Sequence, residues 1–243
     1  IGVSDGSLES ISDNVVITIN QENEAPSFVT PGTGSEPYLF ENSGGAGTIF
    51  NKLLSSADPD SGDTDDTNTF AIDDCTDGLN VENVCLFKVV AKELFINTVG
   101  ITSWNFNYEV KTSYSLVISV TDTGGLVGSG SLTVLIRDAN DPPSLTTADA
   151  TTSIGIQPDV GTIVAQLTAS DEDLSHPSTS ESLTLTIESG NDDAAWEIVP
   201  PASGGNVVGG NQAYWSIRVK TPRASNLDTS GHTWNLVFKV TDA

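Results

Sequence analysis

The chain has no methionine, two cysteines, two histidines and nine basic residues among 243, and no apolar run long enough to cross a bilayer. Each shortage excludes something. His176 and His232 stand apart from each other and from Cys75 and Cys85, so the donor set of a zinc site is missing. Nine Lys plus Arg against 33 Asp plus Glu leave a net charge of −24, a field that repels nucleic acid and anionic membrane and attracts cations. There is no His-Glu-x-x-His and no phosphate-cradling glycine loop, so no enzyme is expected. No Asn-x-Ser/Thr sequon occurs, and N-glycans are not expected. No signal peptide or start residue is present and the chain opens inside a strand pattern, which leads us to expect a segment of a longer protein.

What is abundant is period-2 alternation. Val, Ile, Leu and Thr recur in short runs separated by turn residues such as Thr123-Gly124-Gly125, Gly204-Gly205-Asn206 and Gly209-Gly210-Asn211. No helical periodicity competes with it. The chain also matches itself. Tyr114, Leu116, Ile118, Val120 and Asp122 correspond to Trp234, Leu236, Phe238, Val240 and Asp242, an offset of 120. Gly47-Thr48-Ile49 leads to Asp58-Pro59-Asp60 as Gly161-Thr162-Ile163 leads to Asp171-Glu172-Asp173. Leu132, Val134 and Ile136, followed by Asp138-Ala139-Asn140-Asp141-Pro142-Pro143, repeat Val15, Ile17 and Ile19, followed by Gln21-Glu22-Asn23-Glu24-Ala25-Pro26. Prolines end both strands because they cannot donate to a ladder. The repeat predicts three pieces: 1–25, the final strand of a preceding repeat plus its linker; 26–141, one complete repeat; and 142–243, a repeat lacking its last strand. About seven short strands per repeat describe an all-β fold of tandem Greek-key sandwiches arranged end to end.

A strand closing on acid-Asn-acid-Pro reads as a junction that holds a hard cation, because Ca²⁺ takes six to eight oxygen ligands. These marks resemble the cadherin repeat over essentially the whole chain. The residues that carry the resemblance are Phe40-Glu41-Asn42, Phe106-Asn107-Tyr108-Glu109, the linker from Asp138, and Asp171, Asp173 and Asp242. The resemblance implies a Ca²⁺ cluster at the junction, with Glu41, Glu109 and Asp141 bridging ions. Asp138, Asp171, Asp173 and Asp242 would add carboxylates, and Asn140 an amide oxygen. Asn107 stands where the family pattern has an Asp, and Pro142 where a second Asn is common. At the earlier junction Glu22, Asn23 and Glu24 replace an Asp-rich linker, although Asp58, Asp60 and Asp122 are in place. Gly155 aligns with Glu41 and Thr229 with Glu109, so a junction after the second repeat would be poor in calcium ligands.

Other features carry less. The acidic run from Asp58 to Asp66 fails as an EF-hand because Gly62 falls one position early and no Glu closes the loop. Cys75 and Cys85 either close a local disulfide or remain a pair of thiols, and the acidic β-rich composition favours the first. The tracts Thr30-Pro31-Gly32-Thr33 and 175–180 are loops or sites of O-linked sugar. The resemblance implies an extracellular or cell-surface array in which neighbouring repeats are partners and calcium supplies stiffness, with a role in adhesion or spacing and with homophilic contact as an option. The rivals are a subunit of an extracellular fibre, with a missing strand supplied by a neighbour, and a carbohydrate-binding module. The last would need an exposed platform from Trp196, Tyr214 and Trp215, residues that fit core or strand-face packing better.

Overall fold

The computed structural model describes residues 6–7, 14–44, 47–60, 63–64, 67–79, 83–99, 106–147, 153–175, 182–200, 211–220 and 231–242. Apart from short 3₁₀ turns, its regular structure is all β-strand. No helix among the described residues is long and apolar enough to cross a membrane. The chain divides into two compact units, Ile1–Ala139 and Asn140–Ala243.

The first unit orders eight strands: β1 (Ser27–Phe28), β2 (Tyr38–Phe40), β3 (Ser56–Ala57), β4 (Thr69–Asp74), β5 (Phe87–Val90), β6 (Glu93–Ile96), β7 (Ser113–Thr121) and β8 (Val127–Arg137). One sheet runs β2-β8-β7-β4, with β2 parallel to β8 and the other pairs antiparallel. The second layer holds the β1-β3 and β5-β6 ladders. A bridge between Leu53 and Glu93 joins them, supported by Leu54 N–H to Lys92 O at 2.8 Å and Leu94 N–H to Lys52 O at 2.9 Å. Among the described residues the expected seven strands become eight because the first one changes sheets, β1 pairing in one layer and β2 in the other.

Alternation sets which side of β7 is dry. Tyr114, Leu116, Ile118 and Val120 point into a core shared with Leu132, Val134 and Ile136 of β8 and with Phe87, Leu94 and Ile96 of the opposite layer. Each large apolar side chain so buried contributes roughly 1.5–3 kcal/mol of transfer free energy. Cys75 and Cys85 form a disulfide with Cα atoms 5.8 Å apart, tying the 3₁₀ turn Thr76–Gly78 to the strand that leads into β5.

The second unit repeats the plan with six described strands: β9 (Ser144–Thr147), β10 (Ile163–Ser170), β11 (Thr184–Ser189), β12 (Trp196–Val199), β13 (Gln212–Val219) and β14 (Val237–Thr241). One sheet runs β12-β13-β10-β9, and β11 pairs with β14 alone. Leu167, Ala169, Trp196, Trp215, Ile217 and Val219 fill the core, while Trp234, Leu236, Phe238 and Val240 pack against it only partly buried.

One expectation changes. The strand read at Val15, Ile17 and Ile19 is not one: residues 14–20 pair with no strand among the described residues, and these side chains are 66%, 82% and 91% exposed. Alternation makes a strand only where another edge offers hydrogen bonds. The two compact units part after Ala139, and Asn140 and Asp141 bond to Asp242 and Asp173 of the second unit. Trp196 and Trp215 lie in the core at 6% and 5% exposure, which removes two of the three rings from any platform there. The Gly-Gly-Asn turns at 204–206 and 209–211 lie largely outside the described residues, as do His176, Thr229 and most of the 175–180 tract.

Candidate metal centre

In the second unit the Asp171-Glu172-Asp173 turn follows β10 directly. Asp173 N–H donates to Asp171 Oδ1 at 3.0 Å, and Asp141 N–H donates to Asp173 Oδ2 at 2.6 Å. Asn140 Nδ2 donates to Asp242 Oδ2, just past the end of β14. The linker thus lies along the acidic turn, its amides capping part of the charge. Asp171 is only 3% exposed, and its Oδ2 is buried with no hydrogen-bond partner. Burial pushes the Asp171 carboxyl up, against the Asp173 N–H, and the negative charges of Asp173, Asp242 and Asp141 push it further. Burying a carboxylate oxygen without a donor is costly unless a cation or a proton satisfies it.

The same arrangement stands at the equivalent place in the first unit. Asp60 N–H donates to Asp58 Oδ1 at 2.9 Å, Glu24 N–H donates to Asp60 Oδ2 at 2.7 Å, and Asn23 Nδ2 donates to Asp122 Oδ2 at 2.8 Å. Asp58 Oδ2, like Asp171 Oδ2, is buried without a donor. Carboxylate oxygens of Asp58, Asp60 and Asp63 come within 4.8 Å of one another. Gly124 is what admits Asn23: a Cβ there would stand 2.6 Å from the Asn23 amide, and Gly125 beside it takes φ +91°. Burial pushes the Asp122 carboxyl up, but Asn23 and the backbone N–H groups of Leu126, Gly125 and Gly124 outweigh it and hold it below the ordinary value. Gln21, which replaces the linker's first Asp, sends Nε2 to Asp60 Oδ1 at 2.6 Å and to Pro59 O at 3.1 Å. Glu22 is exposed and bonds to none of these groups.

A third acidic group sits at the other end of the first unit. Glu41 follows β2, buried, with Oε1 accepting from Ala139 N–H at 2.9 Å and Oε2 from Tyr108 N–H at 2.7 Å. One oxygen each of Glu41, Glu109 and Asp138 lie within 4.8 Å of one another. Glu41 therefore joins three segments distant in sequence: the end of β2, the turn before β7 and the linker. Asn107 contributes differently from expectation, because its Oδ1 accepts from Val110 N–H at 2.8 Å and closes the turn that positions Glu109. In the second unit the position equivalent to Glu41 is the exposed Gly155.

These donor sets fit a hard divalent cation: all oxygen, rich in carboxylate, with buried lone pairs left over. Two features escaped sequence reading. Asp63 joins the Asp58 turn, accepting from Thr123 Oγ1 at 2.8 Å, whereas the sequence shows it only as one acid in the run from Asp58 to Asp66. An exposed ring cluster also exists away from the tryptophans. Tyr38 stacks on Phe50 at 4.8 Å, Phe40 meets both edge-on, and the Arg137 guanidinium lies 3.4 Å over Tyr38. Alternation could have shown Phe40 facing outward, but only the β2-β8 pairing brings Arg137 to Tyr38.

No protein-family model and no curated protein sequence matches the chain. Among solved structures it is similar to human Protocadherin-24 EC1-2, with TM-score 0.51 and 17% identity over 91% of this chain and 96% of that one. It is also similar to the Protocadherin GammaB4 extracellular domain, with TM-score 0.50 and 18% identity over 85% of this chain. It spans 28% of that longer chain. At such identity the likeness carries architecture and nothing finer. The chain has a cadherin-like fold of β-sandwich domains.

Proposed function

We propose that this chain is a calcium-binding, non-enzymatic stretch of an extracellular cadherin-like array that acts in cell adhesion or as a surface spacer. One observation carries the reading: in both units a linker amide caps an Asp-x-Asp turn, buried in the second unit and half-buried in the first, and leaves one buried carboxylate oxygen, Asp58 Oδ2 or Asp171 Oδ2, without a donor. An orphaned anionic oxygen costs several kcal/mol in a purely structural turn and nothing in a cation site. Glu41, Glu109 and Asp138 would hold calcium on one side of the unit boundary, and Asn140, Asp141, Asp171, Asp173 and Asp242 on the other. Asp138 belongs to the first set and Asn140 and Asp141 to the second, so ions held by each would restrain the linker at either end. Asp58, Asp60, Asp63 and Asp122, with Asn23, would form the corresponding first-unit set, where Gln21 takes part of the role of a cation by donating to Asp60. Calcium supplies charge neutralisation and no reaction. The similarity to protocadherin ectodomains supports the extracellular setting.

Calcium titrated into the chelator-treated 243-residue protein should bind saturably at roughly 10⁻⁴–10⁻³ M and raise the melting temperature. Asp171→Asn should raise stability without calcium, because it removes an uncompensated buried charge, and weaken calcium binding on the order of tenfold. Calcium heats that are absent, or unchanged in the variant, sink the proposal.

A further inference from the structure

The exposed cluster of Tyr38, Phe40, Phe50 and Arg137 takes no part in the proposed calcium site, yet it adjoins two of its ligands. β2 runs parallel to β8, with Tyr38 opposite Leu135 and Phe40 opposite Arg137. The next residue on each strand belongs to the Glu41, Glu109 and Asp138 group: Glu41 after Phe40, and Asp138 after Arg137. Glu41 N–H donates to Arg137 O at 3.0 Å, which carries the ladder on to the ligand itself. Alternation divides β2 between two faces. Leu39 and Glu41 are buried on one, while Phe40 is exposed and Tyr38 half-buried on the other.

β2 is short for what it positions. It has three residues at the edge of its sheet, and edge strands of that length open readily. From there Glu41 must meet the oxygens of Glu109 and Asp138 and accept from Ala139 N–H and Tyr108 N–H. The outer face supplies what the ladder lacks. Arg137 reaches diagonally from β8 and lays its guanidinium 3.4 Å over the Tyr38 ring. Phe50 stacks on Tyr38 at 4.8 Å with the planes 14° apart, and the two residues exchange N–H···O bonds of 3.1 and 2.7 Å. Phe40 meets both rings edge-on. β2 is therefore fastened to β8 through Arg137 and to the segment at Phe50 through Tyr38.

We propose that the Arg137–Tyr38 stack is a positioning clamp for calcium, holding β2 against β8 so that Glu41 and Asp138 meet one ion. The inference rests on the calcium reading of the Glu41, Glu109 and Asp138 group. The clamp acts through the β2-β8 ladder, from the face of β2 opposite Glu41. Charge alone predicts the reverse effect. Arg137 is a cation beside an acidic group, and removing a like charge would strengthen the binding of a second cation. The sign of the change on deleting Arg137 therefore separates a clamp from a bare charge.

Calorimetric calcium titration of the 243-residue protein tests this, the component lost in Glu41→Gln marking the group. Arg137→Ala and Tyr38→Leu should each weaken that component on the order of tenfold. The double variant should lose no more than either alone, and Tyr38→Phe, which keeps the ring, should bind like wild type. Affinity that rises or stays unchanged in Arg137→Ala overturns the proposal, even where the melting temperature falls, because the stack would then be ordinary packing. Amide exchange in chelator reads the clamp without an ion. The Ala139 and Tyr108 N–H groups, both bonded to Glu41, should exchange on the order of tenfold faster in Arg137→Ala and Tyr38→Leu and unchanged in Tyr38→Phe. Exchange that does not quicken also overturns the clamp. Absent calcium heats in the wild type overturn the calcium reading instead, and the exchange rates still show whether the stack holds Glu41.

Discussion

β4 with β7 in the first unit and β11 with β14 in the second are the same strand pair built twice. Both are antiparallel, and both bulge at the same place, between Ile72 and Asp74 in one and Ile187 and Ser189 in the other. What differs is the far edge. β7 has β8 along it, runs nine residues and buries Tyr114, Leu116, Ile118 and Val120. β14 runs five residues, and Trp234, Leu236, Phe238 and Val240 remain partly exposed. The local sequence is equally suited to β structure in both, so strand length here is set by pairing and not by propensity.

The sharpest way to break this comparison is to delete the same side chain in each repeat. Leu116→Ala, in the closed sandwich, should cost about 2–5 kcal/mol, read by chemical denaturation of the first unit. Leu236→Ala, at the equivalent place in the open one, should cost less than half as much. Equal costs would mean that the open edge does not loosen the core. Trp196, Trp215 and Trp234 report on the second unit and Trp104 lies in the first, so Trp104→Phe in both variants leaves fluorescence reading the second unit alone. Next in size is the disulfide, which the second repeat does not have. Replacing Cys75 and Cys85 together by Ser should destabilise the first unit by about 2–3 kcal/mol through the freed chain entropy of a short loop and leave the second unit's melting unchanged. A matching loss in the second unit would show that the two units unfold together.

The smallest effect concerns Asp77. Hydrogen bonds from Lys111 Nζ, at 2.7 Å, and from Ser115 N–H hold its carboxyl below the ordinary range, against the opposing pull of burial. A carboxyl lowered in the folded state stabilises above its unfolded value, and that contribution disappears as pH falls through the lowered one. Because the pair is half exposed, Asp77→Ala should cost well under 1 kcal/mol at neutral pH. The difference from wild type should shrink as pH falls below the ordinary carboxylate value and vanish once the lowered one is passed. Acid melts in which the gap persists would assign the loss to packing and not to charge.

The candidate cation site was legible as residue types and only partly as roles. Asp58, Asp60, Asp122, Asp171, Asp173 and Asp242 stood out because they recur at fixed offsets beside strands. Their hydrogen bonds to the linker repeat just as regularly. Asn107 was legible as a polar group near Glu109, but not as the residue that closes the 107–110 turn, because that depends on local backbone angles. Asp63 was hidden in an acidic loop, and only its closeness to Asp58 and Thr123 singles it out. The Tyr38, Phe40, Phe50 and Arg137 cluster was not legible, since its members come from three segments of the chain.

By itself the sequence determined the all-β class, the repeat and its acidic marks, because alternation, turn chemistry and periodic carboxylates are local properties that survive without a partner. Which alternating runs become strands was decided only by the tertiary structure. Leu132, Val134 and Ile136 lie against β7 and are buried, while Val15, Ile17 and Ile19, with the same pattern, stand in water. A strand satisfies its backbone through a neighbour that its own sequence does not contain.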